Sequence, residues 1–376
     1  MTLLLAAGIG LGATAALQLL SGSGRLGGPW RRDALHRPKL GGIAVFLAFA
    51  ITPFIASAIS SEASDYFSPK SRDFLGFLGA AFLVLATGLF DDWRVASWRQ
   101  KLVGQVAAAA AVYAAGYRIE RFAFPWGGDV ELGLAAPVLT VMWVVFFTNA
   151  INLIDGKDGV AAGVSILAAA TLAQVAAHTH HPAVALLLVA LAGAGLGFLP
   201  FNLPPASSIL GDSGALLMGF LLGALSIRGS TGVDDAVFIS VPIVALGLPI
   251  LDTLLALARR ALDRAHPFRG DLDHIHHRLE QEMGVGPRGI LVVIYGLGVL
   301  FAGGALILHY VDQFALEAAV FVAMSLLVAL ILTKLGYAVS LWNSQAGLWL
   351  RRKAWLRMQP AALEAETSSS DVEGGE

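Results

Sequence analysis

The stretch Asn149–Gly163 reads N-A-I-N-L-I-D-G-K-D-G-V-A-A-G and lies where one apolar run, residues 135–153, gives way to another, residues 159–177. Each run is long enough to cross a bilayer core of about 30 Å as a helix. Two amides, two carboxylates and a lysine stand at the junction. Each charge at membrane depth costs on the order of 2.5–3.5 kcal/mol, so such a cluster marks a functional site in a membrane protein rather than decoration.

The rest of the 376 residues fits that reading. Hydrophobic residues make up 56% and charged residues 14%, with a mean hydropathy of +0.71, far from an ordinary soluble domain. Apolar runs recur at about residues 2–20, 42–60, 74–90, 102–116, 135–153, 159–177, 182–200, 214–227, 236–257, 289–309 and 314–333. They predict an all-α polytopic membrane protein with about eleven transmembrane helices. The first run follows Met1 without a basic segment, so no cleaved signal peptide is expected. The absence of cysteine excludes disulfides, zinc-thiolate sites and cysteine nucleophiles. The net charge of −2 gives no reason to expect a nucleic-acid partner.

Lysine and arginine set the orientation, because cytoplasmic loops retain them. With the first helix starting outside, 20 of the 25 basic residues fall inside, leaving Lys70, Arg72, Arg118, Arg121 and Arg228 outside. The expectation is N-out and C-in. One transmembrane domain covers 1–334. Residues 335–358 suit an amphipathic interfacial helix, with Trp342, Trp349 and Trp355 beside Arg351–Lys353. Residues 359–376 read as a disordered cytoplasmic tail. Tyr117–Gly133 reads as an outward hairpin turning at Gly127-Gly128.

Five polar motifs fall on the predicted cytoplasmic side. Arg37-Pro-Lys39-Leu-Gly-Gly42 offers a lysine beside glycines, suited to a turn or to a phosphate. Asp91-Asp92, with Lys101 beyond, could cap a helix, bind a divalent cation or share a proton. Asn149, Asn152, Asp155 and Asp158 recur every three residues and share a face wherever the backbone is helical. Leu210-Gly-Asp212-Ser-Gly214 could cap the next helix, or present an oxygen ligand at its N-terminus. His266, Arg269, Asp271, Asp273, His274, His276, His277 and Arg278 crowd one loop. Three histidines that close are ill-suited to one zinc ion, whereas imidazole and guanidinium donors complement phosphate oxygens. Loop decoration would be spread over both faces. Carboxylates and an amide that could hold Mg²⁺, with cations that could hold phosphates, are the parts of phosphoryl transfer. No G-x-S-x-G or G-x-x-x-x-G-K-[ST] element points to acyl transfer or ATP hydrolysis.

The strings G-L-F-D-D-W (88–93), Lys101-Leu102 with Gln105, the 149–163 stretch, G-D-S-G-A-L-L-M-G (211–219) and D-H-I-H-H-R-L (273–279) together resemble the polyprenyl-phosphate N-acetylhexosamine-1-phosphate transferases. The histidine string looks like the branch that uses UDP-N-acetylglucosamine. Phospho-N-acetylmuramoyl-pentapeptide transferases usually carry three consecutive histidines there. The resemblance implies attack by an undecaprenyl-phosphate oxygen on UDP-N-acetylhexosamine, releasing UMP, in a multi-pass protein of the bacterial inner membrane that initiates cell-envelope polysaccharide synthesis. It implies Mg²⁺, replaceable by Mn²⁺, held by Asp212 and Asn152. Catalytic roles would fall to Asp91, Asp92 and Asp212, with one of the first pair a general base. Asp155 and Asp158 would frame the donor within the stretch opened by Asn149, Lys101 its uridine or phosphate side, and His274, His276, His277 and Arg278 its diphosphate; Lys39 would be a further phosphate contact. A homodimer is expected from the family and from the last two apolar runs. The chain departs from the pattern at Lys157, often apolar there, and at Ala215, often serine. An anionic-solute transporter is the reading of a different class, but it would place its polar residues near the bilayer midplane.

Overall fold

Glycines and alanines at regular spacing let the apolar helices of this protein approach backbone to backbone. Without a hydrophobic force between helices in lipid, close van der Waals packing is what joins them. In the computed structural model, which describes residues 1–22, 37–66, 68, 71–123, 128–232, 236–264, 273–311 and 314–337, these contacts organise a helical bundle. In chain order the helices are α1 (Thr2–Gly22), α2 (Gly41–Ile59), the short α3 (Ser61–Tyr66), α4 (Arg72–Arg94), α5 (Trp98–Ala114), α6 (Ala136–Ile154), α7 (Val160–His178), α8 (Pro182–Asn202) and α9 (Gly211–Gly229). They continue with α10 (Ser240–Ala245), α11 (Gly247–Leu262), α12 (Ile275–Met283), α13 (Pro287–Tyr310) and α14 (Phe314–Lys334).

The protein is a helical, multi-pass membrane protein. Among the described residues eight helices are long and apolar enough to cross a membrane. All eleven predicted runs lie on helices, but three fall short of that standard for identifiable reasons. Helix α5 has only 17 residues. Helix α9 carries Asp212 in its first turn and Arg228 in its last. The run at 236–257 is broken, with β3 (Ala236–Phe238) at its start and a junction at Leu246 between α10 and α11. The third run extends to 23 residues, so Asp91 and Asp92 lie in the last turn of α4, not beyond it.

Helix α9 forms the centre, packing on α2, α4, α6, α7 and α8, with nearly its whole length buried. Gly219 and Gly223, one turn apart, admit α6: a Cβ on Gly219 would lie 2.5 Å from the Phe147 carbonyl oxygen. Gly193 and Gly197 of α8 admit α1 in the same way, against the carbonyls of Leu3 and Ala7.

The hairpin predicted at 117–133 is present in its described part. Strand β1 (Arg121–Ala123) pairs antiparallel with β2 (Asp129–Glu131), with Phe122 opposite Val130. A third strand, β3, pairs parallel with β1, Phe122 opposite Val237; it is too short, and too like its apolar surroundings, to be recognised from periodicity. The all-α expectation therefore holds apart from this three-stranded sheet. The interfacial helix expected at 335–358 lies outside the described residues except for 335–337, and the tail at 359–376 lies wholly outside them, as do His266, Arg269 and Asp271.

Candidate active site

The ends of α4, α6, α8 and α11 and the starts of α2, α5, α7, α9 and α12 carry all five motifs, and side-chain bonds tie these ends into one layer. Residues 37–42 are laced to residues 209–210: the Ile209 N–H donates to the Pro38 carbonyl, and the Gly41 and Gly42 N–H groups donate to the carbonyls of Ile209 and Leu210 at 3.2 Å. This brings Lys39 to the N-terminus of α9. Its ammonium lies 3.1 Å from Asp92.

Asp92 supplies the cap of α9 from another helix. Its two oxygens accept the N–H groups of Asp212 (3.2 Å) and Ser213 (3.0 Å). An exposed partial positive charge at a helix N-terminus favours such a carboxylate. The sequence-based alternative, that Asp212 or Ser213 itself caps the helix, gives way to this arrangement: the cap position is Leu210, which makes no side-chain cap. Gly88, one turn before Asp92, makes the approach possible, since a Cβ there would overlap Ser213 Cα. Gly211 adopts φ +74° beside the Asp92 carboxylate, a backbone form that glycine enters without penalty.

Freed from capping, Asp212 accepts a 2.6 Å hydrogen bond from Asn152 Nδ2 and comes within hydrogen-bonding reach of the Asp91 carboxyl. Asp91 also meets Lys101 Nζ at 2.8 Å and accepts the Ala96 N–H. Asp91, Asp92 and Asp212, from α4 and α9, are thus grouped with Asn152, Lys39 and Lys101.

The periodic set at 149–158 separates once the helix ends at Ile154. Asn149 turns toward α5 and exchanges hydrogen bonds with Gln105, donating at 2.6 Å. Asn152 meets Asp212. Asp155 sits at the helix C-terminus and lines a cavity of about 300 Å³ with Arg37, Lys39, Lys157, Asp158 and Asp212. Burial, with the carboxylates of Asp212 and Asp92 nearby, pushes the Asp155 carboxyl well above the usual carboxylate range. Asp158 receives both hydrogen bonds of one Arg37 nitrogen, at 2.8 and 2.9 Å, and the Ala206 N–H. Gly159, at φ +81°, starts α7; its N–H donates to Asn202 and its carbonyl accepts from Tyr295. A second cavity, about 660 Å³, adjoins the first through Arg37, Gly156, Lys157 and Asp158 and reaches Pro204 and residues 286–289.

The histidine motif closes this layer from α12. His276 is fully buried, both ring nitrogens lack a partner among the described residues, and its ring lies where a Cβ on Gly156 would be. It is flanked by His274, parallel at 5.7 Å between ring centroids, and by His277 at 4.4 Å. Lys157 pairs with Glu280 at 2.6 Å across the same junction. Arg278 stands apart from its neighbours: it donates to the Leu335 carbonyl, pairs with Asp273 and lies over the Tyr337 ring at 4.4 Å. The structure thus places Arg278 where it joins α12 to the end of α14.

Burial pushes the His276 imidazole down to about 3, since desolvation disfavours the cation. The folded protein then binds fewer protons than the unfolded chain between pH 6.5 and 3, so stability falls as pH drops through that window. We expect the melting temperature in detergent to decrease from pH 7 to pH 5, and His276→Gln to reduce that decrease. An unchanged pH dependence in the variant would contradict the assignment.

The donor set fits a hard divalent cation. The carboxylates of Asp91, Asp92 and Asp212 lie beside Asn152 with no cysteine, and Lys39 and Lys101 set two positive charges against three negative ones. Among the described residues no three His, Cys, Asp or Glu side chains form a ready-made cage. Mg²⁺ needs none, because it is held by one or two carboxylates together with waters and substrate phosphates.

Sequence reasoning missed Asp252, Asn202 and Tyr295. Asp252 left a signal, a lone carboxylate inside the apolar run at 236–257. Asn202 closes α8 and Tyr295 lies within the apolar α13, and neither left one.

Residues 74–230 match the glycosyl transferase family 4 profile. Over 272 residues, covering 72% of this chain and 73% of the relative, the sequence is 34% identical to a probable undecaprenyl-phosphate N-acetylglucosaminyl 1-phosphate transferase of Bacillus subtilis. The chain belongs to glycosyl transferase family 4. Another family member, the decaprenyl-phosphate N-acetylglucosaminephosphotransferase of Mycolicibacterium smegmatis, is 31% identical over 78% of each chain. A phospho-N-acetylmuramoyl-pentapeptide-transferase of Listeria monocytogenes is 34% identical over 50% of this chain and 60% of its own length. The matched residues run from the first turn of α4 to the end of α9, and so include Asp91, Asp92, Lys101, the 149–163 stretch and Asp212.

Proposed function

We propose that this protein transfers N-acetylglucosamine 1-phosphate from UDP-N-acetylglucosamine to undecaprenyl phosphate, giving undecaprenyl-diphospho-N-acetylglucosamine and UMP. The observation that carries the reading is the joining of Asp91, Asp92, Asn152 and Asp212 with Lys39 and Lys101 at one end of the bundle. That placement favours an interfacial enzyme over a transporter, whose polar groups would lie at mid-depth. The relatives named for N-acetylglucosamine align over more of the chain than the pentapeptide transferase.

The obstacle is that both reactants are anions. Lys39 and Lys101, beside the carboxylates, would hold the acceptor phosphate, while the cavity lined by Asp155, Lys157 and Asp158 would take the donor. Because phosphate has a second pKa near 6, the acceptor oxygen is already ionised at neutral pH; Asp91 and Asp92 would then act by holding Lys101 and Lys39 in place rather than by deprotonating it. Mg²⁺, or Mn²⁺ in its place, held by Asp212 and Asn152, would neutralise charge on the transferring phosphate and on departing UMP. Fixing two anions in line contributes further by proximity. We place the site on the cytoplasmic face of the bacterial inner membrane, with N-out, C-in topology and eleven crossings that include α5, α9 and the broken α10–α11. The product would initiate a cell-envelope polysaccharide.

The test is purified protein with undecaprenyl phosphate, Mg²⁺ and either UDP-N-acetylglucosamine or UDP-N-acetylmuramoyl-pentapeptide, with the lipid product weighed by mass spectrometry. Product from the first donor supports the reading, and product from the second alone replaces it. Asn152→Ala should insert normally and lose about 10–100-fold in turnover, as for loss of a partner that orients a ligating carboxylate. Wild-type turnover in that variant would reduce the 149–163 stretch to a structural junction.

A further inference from the structure

The strongest feature the reading above leaves unused is a carboxylate buried in α11. Asp252 is fully buried, which costs several kcal/mol unless every lone pair finds a donor. Its donors are both in the histidine motif. Oδ2 lies 2.7 Å from His274 Nδ1, and Oδ1 accepts the Ile275 N–H at 2.8 Å. The residue therefore caps α12 and holds its first imidazole with one bond each. His274 stacks parallel on His276, whose ring fills the space left by Gly156. A line of contact thus runs from α11 through α12 to Gly156, which lines both cavities.

We propose that Asp252 is a positioning residue for the sugar-nucleotide site, acting through His274. A carboxylate accepts only, so it fixes the Nδ1–H tautomer and leaves Nε2 as the nitrogen available to other partners. Helix α12 follows residues 265–272 and precedes the three-residue link 284–286 to α13. Among the described residues it is held by Asp252, by the Lys157–Glu280 pair, by Arg278, by the Tyr337 hydroxyl on the Asp273 carbonyl and by packing on α13. Asp252 holds an imidazole directly. The inference rests on the transferase reading for its kinetic consequence, not for its geometry.

Asp252→Asn tests it. The amide keeps an acceptor for Ile275 N–H but sets an N–H against His274 Nδ1, so the ring must reverse its tautomer. We expect kcat/KM for the UDP-sugar to fall about 10–100-fold, with KM for undecaprenyl phosphate unchanged. In a His274→Ala background the same substitution should have no further effect, since both act on one group. Equal losses in the two backgrounds, or wild-type turnover in Asp252→Asn, would overturn the proposal. Nitrogen-15 NMR of histidine-labelled wild-type protein in detergent supplies a readout that needs no activity and no folded variant. Nδ1–H at His274 supports the proposal, and Nε2–H overturns it. Wild-type protein that releases no UMP from any donor would remove the transferase reading and leave the NMR result to decide the role of Asp252.

Discussion

Asp212→Asn should reduce UMP release by about three orders of magnitude or more while leaving the protein folded. The substitution preserves size, and its amide oxygen can still accept from Asn152 Nδ2 as Asp212 does at 2.6 Å. The backbone N–H of residue 212, which donates to Asp92, is untouched. What disappears is one negative charge at the point where α4, α6 and α9 meet. Removing a single group that stabilises developing charge typically costs 10²–10³-fold. Here the same residue would also be the main anion holding a divalent cation, so the loss should exceed that range. UMP release followed with a coupled phosphatase assay reads the effect, and thermal unfolding in detergent checks the fold. Activity within tenfold of wild type would show that the Asp212 charge is not part of the chemistry.

Gly88→Val should disable the protein by a different route. Gly88 lies on α4 where α9 begins, and an added Cβ overlaps Ser213 Cα and the Ser213 nitrogen. Backbone atoms cannot rotate aside as a side-chain tip can, so the helices must separate. Overpacking of this kind costs about 1–3 kcal/mol, or a few degrees in Tm for a chain of this size. Separation also lengthens the Asp92 bonds to Asp212 and Ser213, and with them the placement of Lys39. We expect turnover to fall at least about 100-fold, together with a lower Tm. Gly79→Ala, on the same helix with open space at its Cβ position, is the control and should leave both unchanged. Wild-type activity in Gly88→Val would mean that α4 and α9 need not touch for the reaction.

The contrast between these two residues shows what the sequence could convey. Asp212 stands out as a charge at the edge of an apolar run, and residue type and position alone mark it as a candidate. So do Asp91, Asp92, Asn152 and Asp155. Gly88 is one of 42 glycines, and only the approach of α9 gives it meaning. The three-residue period of Asn149, Asn152, Asp155 and Asp158 predicts a shared face, yet the helix ends at Ile154 and the four side chains part toward Gln105, Asp212, the cavity and Arg37. Periodicity describes a helix and is silent about where the helix stops. Arg278 shows the limit from the other side: its charge suggested an anion, while the structure turns it toward Leu335 and Tyr337. Asp252 was visible as an oddity in an apolar helix, but the partner that explains it, His274, lies 22 residues away across a loop. Each missed assignment depends on which helix ends meet, and that is set by small-residue packing rather than by any local pattern.

We propose that the motifs joined at this end of the bundle form one cation-assisted phosphoryl-transfer centre acting between a nucleotide-sugar and a lipid phosphate. The most direct measurement is UMP release by the purified wild-type protein with UDP-N-acetylglucosamine, with and without undecaprenyl phosphate, in EDTA and after adding back Mg²⁺. UMP is expected only when acceptor and Mg²⁺ are both present, in equal amount to the lipid-linked sugar formed. UMP release at the same rate in EDTA, or none under any combination with folded protein, would contradict it.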